Sequence, residues 1–197
     1  MNIIYLLFHG LSPYSGISKK ILHQVKGFEA CGHRVSLCTY SIADNGHRVR
    51  MINNEIIEDY GTGKPAAAKR RVSYQCIYRY AVTHQVELIY VRSFHNANPF
   101  TIRLFSKLRK AGIKIAMEIP TYPYDSEYAG FPLVTRLGIQ VDKVFRKTLA
   151  KHVNAIVTFS DYHCIFGQRT IQISNGVDFD SIPLKKTVSK NTSVIHQ

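Results

Sequence analysis

The residues with the clearest potential for chemistry lie in a glycine-bearing loop near the start of the chain. An apolar run from Ile3 to Phe8 predicts a strand buried on both faces of a parallel sheet. From Gly16 onward apolar residues recur at helical spacing, until Gly32 ends the helix. The loop that starts at Gly10 therefore ends at a helix N-terminus, where free backbone N–H groups and the positive end of the helix dipole meet at one point. Such a point suits a phosphate, and a tight turn without a ligand is the alternative.

The loop matches neither of the two standard phosphate-binding motifs. A Walker loop has Gly-Lys-Ser/Thr where this chain has Gly16-Ile17-Ser18. A dinucleotide fingerprint has three close glycines and an acidic residue at the tip of the second strand. That strand ends at Thr39-Tyr40 without an acid. The sequence therefore indicates a phosphate site of another type, or none.

Composition indicates a globular protein with an anionic partner. The chain has 197 residues, of which 45% are hydrophobic and 20% charged, as in an ordinary domain. The net charge of +13 is unusual, and it predicts nucleic acid, a phospholipid surface or a phosphorylated substrate without choosing among them. The four cysteines form no C-x-x-C pair, which favours buried thiols in a reducing compartment. The opening apolar run, six residues long, is too short for a signal peptide or a membrane span.

Strands alternate with helices along the chain, which predicts a doubly wound, Rossmann-like parallel sheet of the α/β class, covered on both faces. A hairpin is predicted over 46–60, with its turn at Asn53-Asn54. One helix is predicted from Pro65 to Thr83, and another is capped by Asn98. A helical turn is expected over 161–166.

Ligands of such sheets bind outside the carboxyl ends of the strands, so the residues at those tips are the candidate site. Glu118 ends a predicted strand and would be costly if buried without a partner. Two alternatives stay open for it: contact with a ligand, or a salt bridge to Arg92. For His95, a loop histidine without a role is the alternative to a functional one.

Three segments resemble the N-terminal half of a family-four glycosyltransferase of the GT-B architecture, which has two Rossmann-like domains. They are the Gly16 loop with a helix that ends Ala30-Cys-Gly-His-Arg-Val-Ser-Leu, the segment Tyr90-Val-Arg-Ser-Phe-His95, and Ile173-Ser-Asn-Gly-Val-Asp178. The resemblance spans essentially the whole chain, and the last segment is its most specific part. Two departures stand out: Ser15-Gly16 where the family often has paired glycines, and Glu118-Ile-Pro-Thr where many relatives have a His-Asp pair.

The resemblance implies a retaining, hexosyltransferase-type enzyme that moves a sugar from a nucleotide-sugar donor to a hydroxyl of a glycan or lipid-linked acceptor. Residues 1–184 would be the acceptor-binding domain and 185–197 the start of a linker to a donor-binding domain that is absent here, so the chain alone would be inactive. The site it implies has His95 as catalytic residue. The resemblance places Gly16 at the donor diphosphate, and we predict Ser15, Glu118, Asn175 and Gly176 as further substrate-binding residues; the alternative for Asn175 and Gly176 is that they only shape a turn. No metal or other cofactor is expected, although Asp178-Phe-Asp180 matches a metal-binding Asp-x-Asp pattern.

A non-enzymatic, basic nucleotide- or RNA-binding module of Rossmann-like fold is the alternative function. The aromatic residues lie largely within apolar runs rather than on an exposed stacking platform, so we expect no nucleic-acid partner. The helix predicted from Pro132 to His152 presents apolar residues for burial among basic ones, namely Leu133, Val134, Leu137, Val141, Val144, Phe145 and Leu149. A helix that covers the sheet with a solvated charged face is one interpretation of it, and a membrane-binding helix is the other. This pattern predicts a cytoplasmic protein, peripheral on the inner face of an anionic membrane.

Overall fold

The computed structural model of the chain describes residues 1–12, 14–92, 96–123 and 133–174, with the backbone alone for 133–135. The strands are β1 (Asn2–Leu6), β2 (Arg34–Ile42), β3 (Arg48–Ile52), β4 (Glu55–Asp59), β5 (Leu88–Arg92), β6 (Lys114–Glu118), β7 (Ala155–Thr158), β8 (Cys164–Ile165) and β9 (Gln168–Gln172). The helices are α1 (Gly16–Ala30), α2 (Gly63–Val72), α3 (Gln75–Thr83), α4 (Pro99–Lys110) and α5 (Leu133–Ala150). The protein is thus of the α/β class, as predicted.

One mostly parallel sheet of nine strands organises this part of the chain, in the order β4-β3-β2-β1-β5-β6-β7-β9-β8. Strands β1, β2, β5, β6, β7 and β9 run parallel, whereas β3, β4 and β8 pair antiparallel with their neighbours. The chain steps from β1 to β2 on one side and then crosses back to β5 on the other side. The point at which the winding reverses therefore lies between β1 and β5, where α/β sheets bind ligands.

Helices pack on both faces of the sheet, as a doubly wound sheet requires. On one face, Tyr5, Tyr90 and their neighbours form an apolar cluster with Ile21 of α1. The larger cluster on the other face includes Ile77 of α3 and Phe105 of α4. Helix α1 thus covers one face of the sheet, and α3 and α4 cover the other.

Short-range signals in the sequence predicted several turns and caps correctly. Asn53 and Asn54 have φ of 51° and 69°, and they form the two-residue turn of the β3–β4 hairpin. Gly32 ends the segment after α1 with φ of 77°, a conformation that glycine adopts without strain. Asn98 caps α4 in a full capping box.

Two predicted helical segments are wrong. The helix expected from Pro65 to Thr83 is interrupted, because Ser73 is extended and Tyr74 turns into the core, where its ring meets Phe8 edge to face. The helical turn expected over 161–166 is instead a hairpin between β8 and β9. Phe166 and Gly167 both have positive φ there, which a two-residue hairpin turn requires.

Two expectations about burial also need correction. All four cysteines are unpaired, but Cys31 and Cys164 are exposed, and only Cys38 and Cys76 are buried. Helix α5 buries only part of the apolar set expected to pack: Leu149 is buried and Phe145 packs on the core, whereas Leu137, Val141 and Val144 are 59%, 45% and 71% exposed.

Candidate functional site at the carboxyl edge of the sheet

The loop between β1 and α1 ends in a capped helix N-terminus at the point where the winding reverses. Ser15 is the N-cap, and its hydroxyl accepts a hydrogen bond from the Ser18 amide at 3.4 Å. The hydroxyl of the buried Ser18 in turn accepts one from the Ser12 amide at 2.9 Å. The first turn of α1 contains no acidic residue, so no side chain of that turn neutralises the positive end of the helix dipole.

Gly10 and Gly16 differ in how much space their surroundings leave for a side chain. A Cβ on Gly10 would lie 2.8 Å from the backbone oxygen of Tyr40, so the fold itself requires glycine there. A Cβ on Gly16 would meet no described atom within 4 Å, and its φ is not in the left-handed region. Nothing in the described fold therefore requires glycine at position 16, and none of the described residues fills the space where a Cβ would lie.

A buried carboxylate lies at the tips of the neighbouring strands. Glu118 is fully buried, and its Oε1 lies 2.6 Å from Nη1 of Arg92. Its Oε2 accepts hydrogen bonds from the Tyr90 hydroxyl at 2.7 Å and from Nε2 of Gln24 at 3.0 Å. The Tyr5 hydroxyl donates a hydrogen bond to Oε1 of Gln24 at 2.5 Å. These five side chains form one network that joins β1, β5, β6 and α1.

Burial shifts the pKa values of several side chains in and beside this network. It raises the pKa of the Tyr5 and Tyr90 phenols, and the charge of Glu118 raises them further. Both hydroxyls therefore stay protonated and donate hydrogen bonds. Lys20, one turn into α1, has its pKa lowered by burial, an effect that Glu118 partly offsets. Its Nζ lies 3.7 Å from the centre of the Phe159 ring, just beyond β7.

The network positions α1 rather than offering a free base. Of the two alternatives for Glu118, the structure shows the salt bridge to Arg92, and both carboxylate oxygens already have partners. A contact between Glu118 and a ligand stays a prediction. Because Gln24 lies on α1 and bonds to β6 through Glu118, the network fixes the helix whose N-terminus is at Gly16.

Three of the predicted site residues lie outside the described part of the chain: His95, Asn175 and Gly176. The Asp178-Phe-Asp180 pattern also lies outside it. Of the remaining predicted site residues, Ser15 and Gly16 lie at the end of the β1–α1 loop, and Glu118 lies beside Arg92. Within the described residues, no group of His, Cys, Asp and Glu side chains is arranged to hold a metal ion.

Sequence reasoning missed Tyr5, Tyr90, Gln24 and Lys20. A signal for the two tyrosines existed, because a tyrosine within a buried strand needs a partner for its hydroxyl. Gln24 lies three positions after Ile21, on the helix face that packs against the sheet, so a polar side chain there also needs a partner. The partner itself depends on the register of β5 and β6, which local patterns do not give.

Comparisons of the sequence with family models and curated proteins, and a search of the solved structures, found no match. None of the helices in the described ranges is both long and apolar enough to cross a membrane. The function must therefore be inferred from the geometry of this edge and from the resemblance of the sequence segments.

Proposed function

We propose that the chain is the acceptor-side domain of a retaining glycosyltransferase that moves a sugar from a nucleotide-sugar donor to a hydroxyl of a glycan or lipid-linked acceptor. The observation that supports this most is the N-terminus of α1 at Gly16. It opens at the reversal point between β1 and β5, has no acid in its first turn, and leaves space where a side chain would stand. These features support a site for the donor diphosphate, since a helix N-terminus at a switch point suits an anion.

The proposed chemistry uses this N-terminus to stabilise the leaving group. Sugar transfer passes through an oxocarbenium-like state, in which the departing diphosphate gains negative charge. Backbone N–H groups of the first turn and the helix dipole at Gly16 would stabilise that charge as it develops. Lys20, one turn further along α1, adds a cation to the same edge.

The buried network keeps the helix terminus in place during this step. A preorganised donor stabilises charge only if it does not move when the charge develops. Gln24 and Glu118 join α1 to β6, and Arg92 and Tyr90 join the same carboxylate to β5. We assign these side chains a positioning role.

The remaining roles follow the resemblance alone. His95 would lie near the transferred sugar as the catalytic residue, and Asn175 and Gly176 would shape the substrate side of the last loop. A second domain would supply most donor contacts, and no metal or nucleic acid takes part. The proposed location is the cytoplasmic face of a membrane.

Calorimetry with nucleotide sugars tests the proposal. This chain should bind them more weakly than about 1 µM, because most donor contacts would lie in the second domain. A protein that contains this chain together with the proposed second domain should cleave a nucleotide sugar and retain the anomeric configuration in its product. Submicromolar binding by this chain would contradict the proposal and favour a stand-alone nucleotide-binding module, and an inverted product would contradict the retaining mechanism.

A further inference from the structure

Three arginines gather beside the carboxyl end of β2, on the sheet face opposite α1. Arg48 and Arg50 lie on β3, and Arg70 lies on α2. Nη1 of Arg48 donates to the Tyr40 hydroxyl at 2.7 Å, and the guanidinium carbon of Arg70 lies 4.1 Å from the centre of the Tyr40 ring. Arg50 is the register partner of Tyr40 across the β2–β3 pair. Arg48, Arg50 and Arg70, grouped around one tyrosine, are the arginine cluster.

The innermost member, Arg50, carries a buried charge. It is 1% exposed, and its Nη1 donates to the Leu7 carbonyl at 2.8 Å, while its Nε has no hydrogen-bond partner among the described residues. Its polar neighbours are neutral at pH 7, since burial raises the pKa of the Cys38 thiol to about 12 and also raises that of the Tyr60 phenol. They therefore supply no negative charge to Arg50.

The acids nearest in the sheet are engaged elsewhere. Glu58 faces Arg50 across the β3–β4 pair, yet its carboxylate pairs with Arg79 at 3.5 Å. The next acid, Asp59, pairs with His47 at 2.7 Å. In the described ranges no ion pair includes a member of the arginine cluster.

The cluster is therefore a concentration of positive charge without a counter-charge from the described chain. The Nε atoms of Arg48 and Arg70 are also buried without a partner. Burial lowers the pKa of Arg70, and Tyr40 partly offsets this by raising it. The charges of Arg71, Arg48 and Arg50 lower the pKa of Arg70 further. An unpaired buried charge and mutual repulsion both destabilise a fold, and an anion at the cluster would relieve both.

We propose that the arginine cluster is a binding site for a phosphate-type dianion, either a phosphate monoester or a diphosphate. Guanidinium groups match the oxygens of phosphate in geometry and charge, and a dianion offsets more of the excess positive charge of the cluster than a carboxylate does. Arg48 and Arg70 are only partly buried, so a ligand reaches them from solvent, with Arg50 as a fixed charge behind them.

The site lies at the functional edge of the sheet. The Tyr40 amide donates to the His9 carbonyl at 3.3 Å, so the tip of β2 packs on the start of the β1–α1 loop. The cluster is distinct from the Gly16 terminus because it lies on the other face of the sheet. The inference does not depend on the proposed sugar transfer, since the arginines lack a counter-charge whatever reaction the protein catalyses.

Calorimetry with inorganic phosphate and pyrophosphate, at an ionic strength held constant with sodium chloride, tests the site. The unmodified chain should bind pyrophosphate. Arg70→Gln and Arg48→Gln should each weaken the Kd at least about tenfold, as expected for the loss of a charge-assisted contact. Arg103→Gln removes an exposed arginine of α4 and should change the Kd by less than about twofold. Equal weakening by Arg70→Gln and Arg103→Gln would overturn the proposal.

Thermal unfolding gives a second readout, which also reports whether each variant folds. Pyrophosphate should raise the Tm of the unmodified chain and of Arg103→Gln, and it should raise the Tm of Arg70→Gln much less. A general effect of the salt would raise all three equally, and this outcome would also overturn the site.

The two sources of such a phosphate are separated with vesicles that contain phosphatidic acid. If the ligand is a lipid headgroup, Arg70→Gln should weaken vesicle binding more than Arg103→Gln does, and pyrophosphate should displace the chain. If the ligand is a soluble phosphorylated compound, Arg70→Gln should lower the affinity for pyrophosphate and leave vesicle binding like that of Arg103→Gln.

Discussion

Gly16 and Gly27 lie on the same helix, and a Cβ on either would meet no described atom within 4 Å. A valine at either position should therefore leave the domain folded. At Gly16 it would block close approach of a diphosphate to the helix terminus, whereas Gly27 lies near the other end of the helix. In the proposed two-domain glycosyltransferase, we expect Gly16→Val to lose nearly all turnover and Gly27→Val to keep it.

Steady-state donor turnover of both variants, with circular dichroism to confirm folding, measures this difference. Turnover of Gly16→Val within about threefold of the unmodified enzyme corresponds to roughly 0.7 kcal/mol of barrier, which is too little for a diphosphate contact. That result would show that the phosphate role of Gly16 is wrong, even if the enzyme transfers sugar.

At the scale of single residues, the sequence predicted the salt-bridge partner of Glu118 but not its other hydrogen-bond partners. A carboxylate at the end of a buried strand needs a cation, and Arg92 is the cation named from the sequence. The two are direct register partners in the β5–β6 pair. The arginine cluster could not be foreseen, because it requires the hairpin to fold back beside β2 and α2 to cover it.

At the scale of elements, the Glu118 network joins α1 to two strands, and a variant can measure that connection. Glu118→Gln removes the negative charge and leaves Arg92 buried without a counter-charge, so we expect a loss of about 3 kcal/mol in the free energy of unfolding. Glu58→Gln breaks the ion pair with Arg79, whose side chain is 66% exposed, and should cost less than about 1 kcal/mol. Urea denaturation of both variants gives the comparison.

Similar small losses in the two variants would mean that the Glu118 network does not hold α1 to the sheet. The positioning role assigned to Gln24 and Glu118 would then fail. A large loss in Glu58→Gln as well would indicate that this control pair is more strongly coupled to the hairpin than its exposure suggests.

Element types were largely readable from the sequence, and their arrangement was not. Alternating apolar strands and amphipathic helices identified the α/β class, because that periodicity is local. The break between α2 and α3 depends on Tyr74 entering the core beside Phe8, a tertiary contact that overrides helical propensity. The order β2-β1-β5-β6-β7-β9 likewise depends on how crossovers pack, which no window of sequence contains.

At the scale of the whole molecule, the excess positive charge is concentrated on helices that cover one face of the sheet. Helix α2 contacts α4, and α4 contacts α5. Basic residues in these three helices include Lys69, Arg71, Arg103, Lys110, Arg136 and Lys147, all of them exposed. The one acid of α5, Asp142, is buried, where it accepts a hydrogen bond from the Ala97 amide. This face therefore presents a positive surface to its surroundings.

The exposed side chains of α5 add an apolar component to this surface. Leu137, Val141 and Val144 are spaced by four and three residues, so they form one stripe along the helix. In the sequence, these residues belong to a longer apolar set at helical spacing, for which packing against the sheet is the alternative to a membrane-binding helix. The exposure of this stripe on a basic helix is consistent with the predicted helix in a membrane interface.

We therefore expect the chain to bind anionic vesicles and not neutral ones at low salt. Each surface cation contributes about 1 kcal/mol on an anionic leaflet, so Arg136→Gln with Lys147→Gln should weaken binding roughly 30-fold. Leu137→Ser with Val144→Ser should weaken it further by removing the inserted stripe. The matched comparison sets Lys147→Gln with Leu137→Ser on α5 against Lys19→Gln with Leu22→Ser on α1, exposed residues of the opposite face, which should change little. Sedimentation with both kinds of vesicle measures these affinities. Equal binding to neutral and anionic vesicles, or equal losses in the α5 and α1 variants, would show that this face does not bind a membrane.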